Sequence, residues 1–221
     1  MSAEEQNGQL KRKEIRAVIL DYDLVLCRSP QQEHVDRMAT AFGVDHHTFW
    51  RLYEQNRAPL DKGEITPAAY WKSVARDAGK KVDAFTIERL EDLDIDSWDT
   101  IEEPLLEWLQ TLKTNGYKTA LLSNSHPRLV AHLRRNRPWL RLFDVCVFSS
   151  EVRLIKPDPA IFRHTLEKLG LDASAVLFID DRMSNVTVAQ SLGIESVRFT
   201  TVVQLNKQLK DAGFAHLVRT A

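Results

Sequence analysis

The chain has 221 residues, enough for one sizeable core with an inserted subdomain. Thirty Lys and Arg against thirty-one Asp and Glu leave a formal net charge of -1, a balance that argues against a general nucleic-acid or anionic-membrane surface. No apolar run approaches the roughly 20 residues of a membrane-spanning helix. Two cysteines, Cys27 and Cys146, are too few for a disulfide framework or a zinc site. The expectation is a cytoplasmic protein with both thiols reduced.

Residues 1–14 read as a polar tail of mixed charge, without the apolar centre of a signal peptide. "AVIL" at 17–20 then reads as a buried strand, followed by two acids, Asp21 and Asp23, before the chain turns apolar again at Leu24, Val25 and Leu26. An ionised carboxylate beside a core strand is costly unless water or a cation meets it. From Ser29 to Asp99 the pattern is helical. "QQEHVDRMATAFG" stops at Gly43, "DHHTFWRLYEQNR" starts on a capping Asp45, and "TPAAYWKSVARDAG" starts with Thr66 and Pro67 and stops at Gly79. "DAFTIERLEDLDIDSW" supplies a fourth helix. Trp50, Tyr53, Tyr70 and Trp71 recur at helical spacing and are assigned to the core of this insertion. His46 and His47 are assigned to a solvated first turn. Arg57, near the domain junction, is a candidate contact for an anionic substrate.

Beyond residue 99 short apolar runs recur: "TALL" at 119–122, "VCVF" at 145–148, "AVLFI" at 175–179 and "SVRF" at 196–199. Between them lie helix-like stretches, among them "HPRLVAHLRRNRPWL", "PDPAIFRHTLEKLG" and "NVTVAQSLG". This alternation predicts an α/β fold, a doubly wound parallel sheet with ligands at the carboxyl ends of its strands. The expected division is a core of 15–28 and 100–221 with a helical insertion over 29–99. Polar residues of a consistent kind end several strands. Ser123 and Asn124 follow "TALL", Asp180 and Asp181 follow "AVLFI", and Lys156 stands before a predicted helix. A parallel sheet brings the serine, the lysine and all four acids to one edge. Clustered carboxylates repel, and a hard divalent cation such as Mg²⁺ relieves this with oxygen ligands. A hydroxyl and a lysine beside them complete a site for a phosphoryl group.

With these residues in place the chain resembles the haloacid dehalogenase (HAD) superfamily, in the branch with a helical cap after the first motif. "DYDLVL" resembles its first motif, D-x-D-x-[TV]-[LV]; "LLSNS" with Ser123 the second; Lys156 in "KPDPAIF" the third; and "FIDDRMSN" with Asp180, Asp181 and Asn185 the fourth. The resemblance implies a Rossmann-like core and a Mg²⁺-dependent phosphatase acting on a small phosphorylated metabolite, a sugar phosphate being one candidate. It implies that Asp21 is the nucleophile, that Asp23 is general acid and base, and that Ser123 donates to the phosphoryl group. It implies that Lys156 neutralises charge on Asp21 and the phosphoryl group, with Asn124 beside it in substrate binding and Asn185 in support. Asp21, Asp181, the Asp23 carbonyl and Asp180, direct or through water, would hold the metal. Dehalogenase relatives lack the second acid of the first motif and need no magnesium. That activity, a phosphomutase and an idle phosphometabolite-binding relative remain alternatives. Leu24 departs from the glycine common at that position in phosphatases of the family.

Overall fold

The structure is a computed structural model, and it describes residues 14–218. The tail expected over 1–14 therefore lies outside the described residues except for Glu14. Five parallel strands form one sheet: β1 (Ala17–Leu20), β2 (Lys118–Ser123), β3 (Val145–Phe148), β4 (Val176–Asp180) and β5 (Glu195–Arg198), in the order β3-β2-β1-β4-β5. Every residue of β1 is fully buried, because helices cover both faces of the sheet. Side chains alternate between faces. Val18 and Leu20 join one apolar cluster with Leu121 and Ile179, whereas Ala17 and Ile19 join another with Ala120 and Phe178. The register sets Leu20 opposite Leu121 on one side and Ile179 on the other, so β1, β2 and β4 present their carboxyl ends together. The chain runs outward from β1 to β3 and returns to β4 on the opposite side. The strand order therefore reverses at β1, where open α/β sheets place ligands.

Between β1 and β2 lie α1 (Gln32–Phe42), α2 (His46–Gln55), α3 (Arg57–Asp61), α4 (Pro67–Asp77), α5 (Ala84–Ser97) and α6 (Glu103–Thr114). The first five share an apolar cluster of their own, including Phe42, Phe49, Tyr70 and Trp71. The capping devices expected of Asp45 and Thr66 are present: their side chains accept from the amides of Thr48 and Ala69. Gly43 closes α1 in the left-handed region. The insertion holds five helices rather than four, because "RAPLD" forms the short α3. The core continues with α7 (Pro127–Asn136), α8 (Ser149–Val152), α9 (Pro159–Leu169), α10 (Met183–Ser191) and α11 (Val202–Asp211). Two sets of contacts tie the insertion to the core. Arg128 of α7 pairs with Glu91 and, at 2.6 Å, with Asp92 of α5. Ser149 of α8 donates its hydroxyl to the Asp61 carbonyl while accepting from the Ser125 amide at 2.9 Å.

Candidate active site

At the carboxyl edge of the sheet the side chains from three strands meet. Asp21 leaves β1 and Asp180 ends β4, and the Lys156 ammonium stands between them, 2.6 Å from Asp21 Oδ1 and 2.8 Å from Asp180 Oδ2. All three are buried. Asn124, just past β2, positions that lysine through its backbone. Its amide nitrogen donates to the Lys156 carbonyl at 3.0 Å, and its amide oxygen accepts from the Lys156 N–H at 2.9 Å. Asn185, on α10, donates to both oxygens of Asp180 at 2.9 and 3.0 Å, and the Arg182 N–H adds a third donor at 2.8 Å. Of the two supports expected of Asn185, Lys156 or the acidic pair, its contacts are with the acidic pair, at Asp180. Ser123 is fully buried at the end of β2, its hydroxyl 2.6 Å from that of Ser125.

The electrostatics follow from two buried carboxylates sharing one ammonium. Burial works against ionisation of Asp180, but Lys156 and the donors around its carboxylate outweigh it and hold the group below its usual range. Burial and the charge on Asp180 push Asp21 well above its usual value, despite Lys156. Asp181 is raised by burial and by Asp180. Carboxylate oxygens of Asp21, Asp180 and Asp181 lie within 4.8 Å of one another, a set of hard oxygen donors with too little positive charge nearby. These residues fit a divalent cation such as Mg²⁺, which favours such ligands. Asp23 sits apart from that set. Its Oδ1 is buried with no hydrogen-bond partner among the described residues, and burial pushes its carboxyl up to about 6. Leu24 has φ 58°, the left-handed region that glycine adopts freely. The glycine common at this position in the family thus has a conformational reason, and here the leucine bears a cost of roughly 1–2 kcal/mol.

Above these residues a cavity of about 590 Å³ opens between the sheet edge and the insertion, lined by Asp21, Asp23, Asn124, Lys156, Asp181 and Asn185 below. Arg57, Trp50 and Tyr53 line it from the insertion. Two expectations change here. Trp50 and Tyr53, assigned to the insertion's interior, also form cavity wall, whereas Tyr70 and Trp71 are buried in that interior. Arg57 reaches the cavity, but it is not a free cation. Its guanidinium donates to Asp61 at 3.0 Å and to Asp94 at 2.9 Å, and lies 4.6 Å from the centre of the Tyr53 ring. His46 also reaches the cavity, while His47 stays exposed as expected. Sequence reasoning missed Asp61, whose carboxyl burial pushes up to about 7, and the pair formed by Arg182 and Glu54 across the cavity at 3.6 Å. The i,i+4 spacing of Arg57 and Asp61 was the one readable signal.

A parallel α/β sheet with an acid, a second acid, a lysine and an acidic pair at one edge, beneath a helical insertion, marks the chain as a hydrolase of α/β architecture. The chain belongs to the haloacid dehalogenase-like hydrolase family, whose model matches residues 15–193. It is similar to a phosphorylated carbohydrates phosphatase of Thermotoga maritima, 35% identical over 115 residues that cover 51% of this chain and 53% of that protein. It is similar also to the drimenol cyclase drtB of Aspergillus calidoustus, 31% identical over 201 residues, 88% of this chain and 36% of that protein. The chain thus spans only about a third to a half of the length of these two relatives. A HAD family enzyme of Bacteroides thetaiotaomicron, solved with magnesium and inorganic phosphate, superposes with a TM-score of 0.69 at 25% identity. The match covers 84% of this chain and 94% of that one. Haloacid dehalogenases stand among the relatives and structural neighbours as well, at 28% identity or less.

Proposed function

We propose that the protein is a Mg²⁺-dependent phosphatase that hydrolyses a small phosphomonoester through an aspartyl-phosphate on Asp21. The observation that carries this reading is the second carboxyl of "DYD". Asp23 shares the cavity with Asp21, has an unpartnered buried oxygen and is pushed up to about 6. A nucleophile needs one carboxylate, and a second carboxyl that titrates close to neutrality can give a proton to a departing alkoxide and take one back from water. The three-carboxylate cluster and the magnesium and phosphate bound by the Bacteroides relative support the metal requirement. Asp21, Asp181 and Asp180 would hold the ion, which when bound supplies charge neutralisation at the transferring phosphoryl oxygens. Lys156 orients the Asp21 carboxylate from 2.6 Å and adds a second positive charge. Asp21 Oδ attacks phosphorus in line, the ester bond breaks, and Asp23 gives its proton to the leaving oxygen. Asp23, now ionised, takes a proton from the water that cleaves the aspartyl-phosphate, returning both acids to their starting states.

The test is phosphate release from a panel of phosphomonoesters with Mg²⁺, alongside 2-chloropropionate as the dehalogenation control. Phosphate release that falls below a tenth of the wild-type rate in Asp21→Asn is expected. Halide release from chloropropionate in the presence of excess chelator would replace this reading with the dehalogenase, and release of neither would replace it with the idle relative. Transfer of phosphate between positions of one substrate, with none in solution, would point to the mutase.

A further inference from the structure

The aromatic side chains of the wall that faces the phosphoryl site have their polar atoms engaged within the protein. Trp50 Nε1 donates to His46 Nε2 at 2.9 Å. Trp98 Nε1 donates to the Tyr53 hydroxyl at 3.0 Å, and that hydroxyl donates to Asp94 at 2.5 Å. Gln32 donates to Asp36 and lies 2.7 Å from His46 Nδ1. Arg57 is held by Asp61 and Asp94. Trp50, Tyr53 and Trp98 line the cavity, and Leu24, Val35 and Ile155 add aliphatic surface. Trp50 packs against the apolar clusters of both the core and the insertion while remaining partly exposed, so its ring stands at the join and is held in place. Over these rings a polyhydroxylated alcohol would lose water without gaining partners, which costs free energy at each hydroxyl so placed.

Resting on the phosphatase reading, we infer that the substrate's alcohol portion presents an apolar or aromatic face that packs on Trp50. The cavity volume, about 590 Å³, suits a ligand well beyond phosphate itself. The test compares benzyl and n-hexyl phosphate with glucose 6-phosphate and glycerol 3-phosphate, all esters of primary alcohols, so that leaving-group chemistry differs little. In the wild-type protein with Mg²⁺, kcat/KM for benzyl phosphate should exceed that for glucose 6-phosphate by roughly tenfold or more, the effect of one well-packed aromatic contact. That ratio should collapse in Trp50→Ala and return in Trp50→Phe, which keeps an aromatic face and controls for misfolding. Turnover with glucose 6-phosphate equal or preferred, or a ratio unchanged in Trp50→Ala, would overturn this inference and leave the phosphatase standing. Phosphate release from none of the four esters would overturn the phosphatase reading and this inference with it.

Discussion

Two acids one residue apart in "DYD" occupy different environments, and this difference gives them different chemistry. Asp21 touches Lys156 and belongs to the carboxylate cluster, whereas Asp23 has an unpartnered buried oxygen and a carboxyl pushed up to about 6. Asp23→Asn keeps the size of the side chain and removes the transferable proton. Activity on an alkyl phosphate should fall by about 10²- to 10⁴-fold, and by less on an aryl phosphate whose oxygen leaves without help. The sign of the pH effect follows from the raised value. The protonated form prevails below about pH 6 and is lost above it, so kcat/KM for the alkyl ester should decline on the alkaline side. That limb should vanish in Asp23→Asn, and a variant with an unchanged rate and profile would show the acid to be structural. Residues of this kind were readable in the sequence because each ends an apolar strand, and parallel strands present their ends together. Glu54 and Arg182 were not, since no local pattern marks them, and Asp61 was marked only by its i,i+4 spacing from Arg57. Tertiary packing alone brings them to the cavity, which also explains why Arg57 looked like a free cation until Asp61 and Asp94 were seen beside it.

Among the elements, the strands were the most legible. Four-residue runs such as "AVIL" and "VCVF" coincide with β1 and β3, because a strand covered on both faces has no polar positions to blur it. The five-residue α3 escaped notice because it is too short to show helical periodicity and carries Pro59 within it. Yet α3 matters to docking. The turn that follows it places Gly63 against α8 at φ 69°, where an added Cβ would lie 3.0 Å from the Ser150 carbonyl oxygen. Gly63→Ala should therefore destabilise the protein by about 1–2 kcal/mol through the left-handed backbone alone, with the backbone clash adding to it. Thermal or denaturant unfolding checks this. The same substitution at Gly79, also at positive φ but where an added Cβ would meet nothing within 4 Å, provides the backbone-only comparison. If the two variants lose equal stability, the approach of α8 to Gly63 contributes nothing to holding the cap in place.

At the scale of the molecule, two bodies with separate apolar clusters meet over a site that is short of positive charge. The core and the cap have separate apolar clusters, Trp50 packs against both, and ion pairs such as Arg128 with Asp92 join the surfaces. Asp21, Asp180 and Asp181 belong to the folded core, and the unfolded chain has no reason to hold their oxygens within 4.8 Å of one another. A cation that binds this cluster binds the native state preferentially and must raise its stability. At a hundredfold excess over the dissociation constant the gain is about 2.7 kcal/mol. For a chain of this length it corresponds to a rise of roughly 5–10 °C in Tm. Melting in saturating Mg²⁺ should therefore exceed melting in chelator by that margin. The difference should shrink in Asp181→Ala, which removes a ligand, and should persist in Asp23→Asn, which keeps all three carboxylates of the cluster. Because melting needs no substrate, the result bears on the metal independently of turnover. Identical curves in magnesium and chelator would mean that the cluster does not hold the ion, and would remove the metal from the proposed reaction.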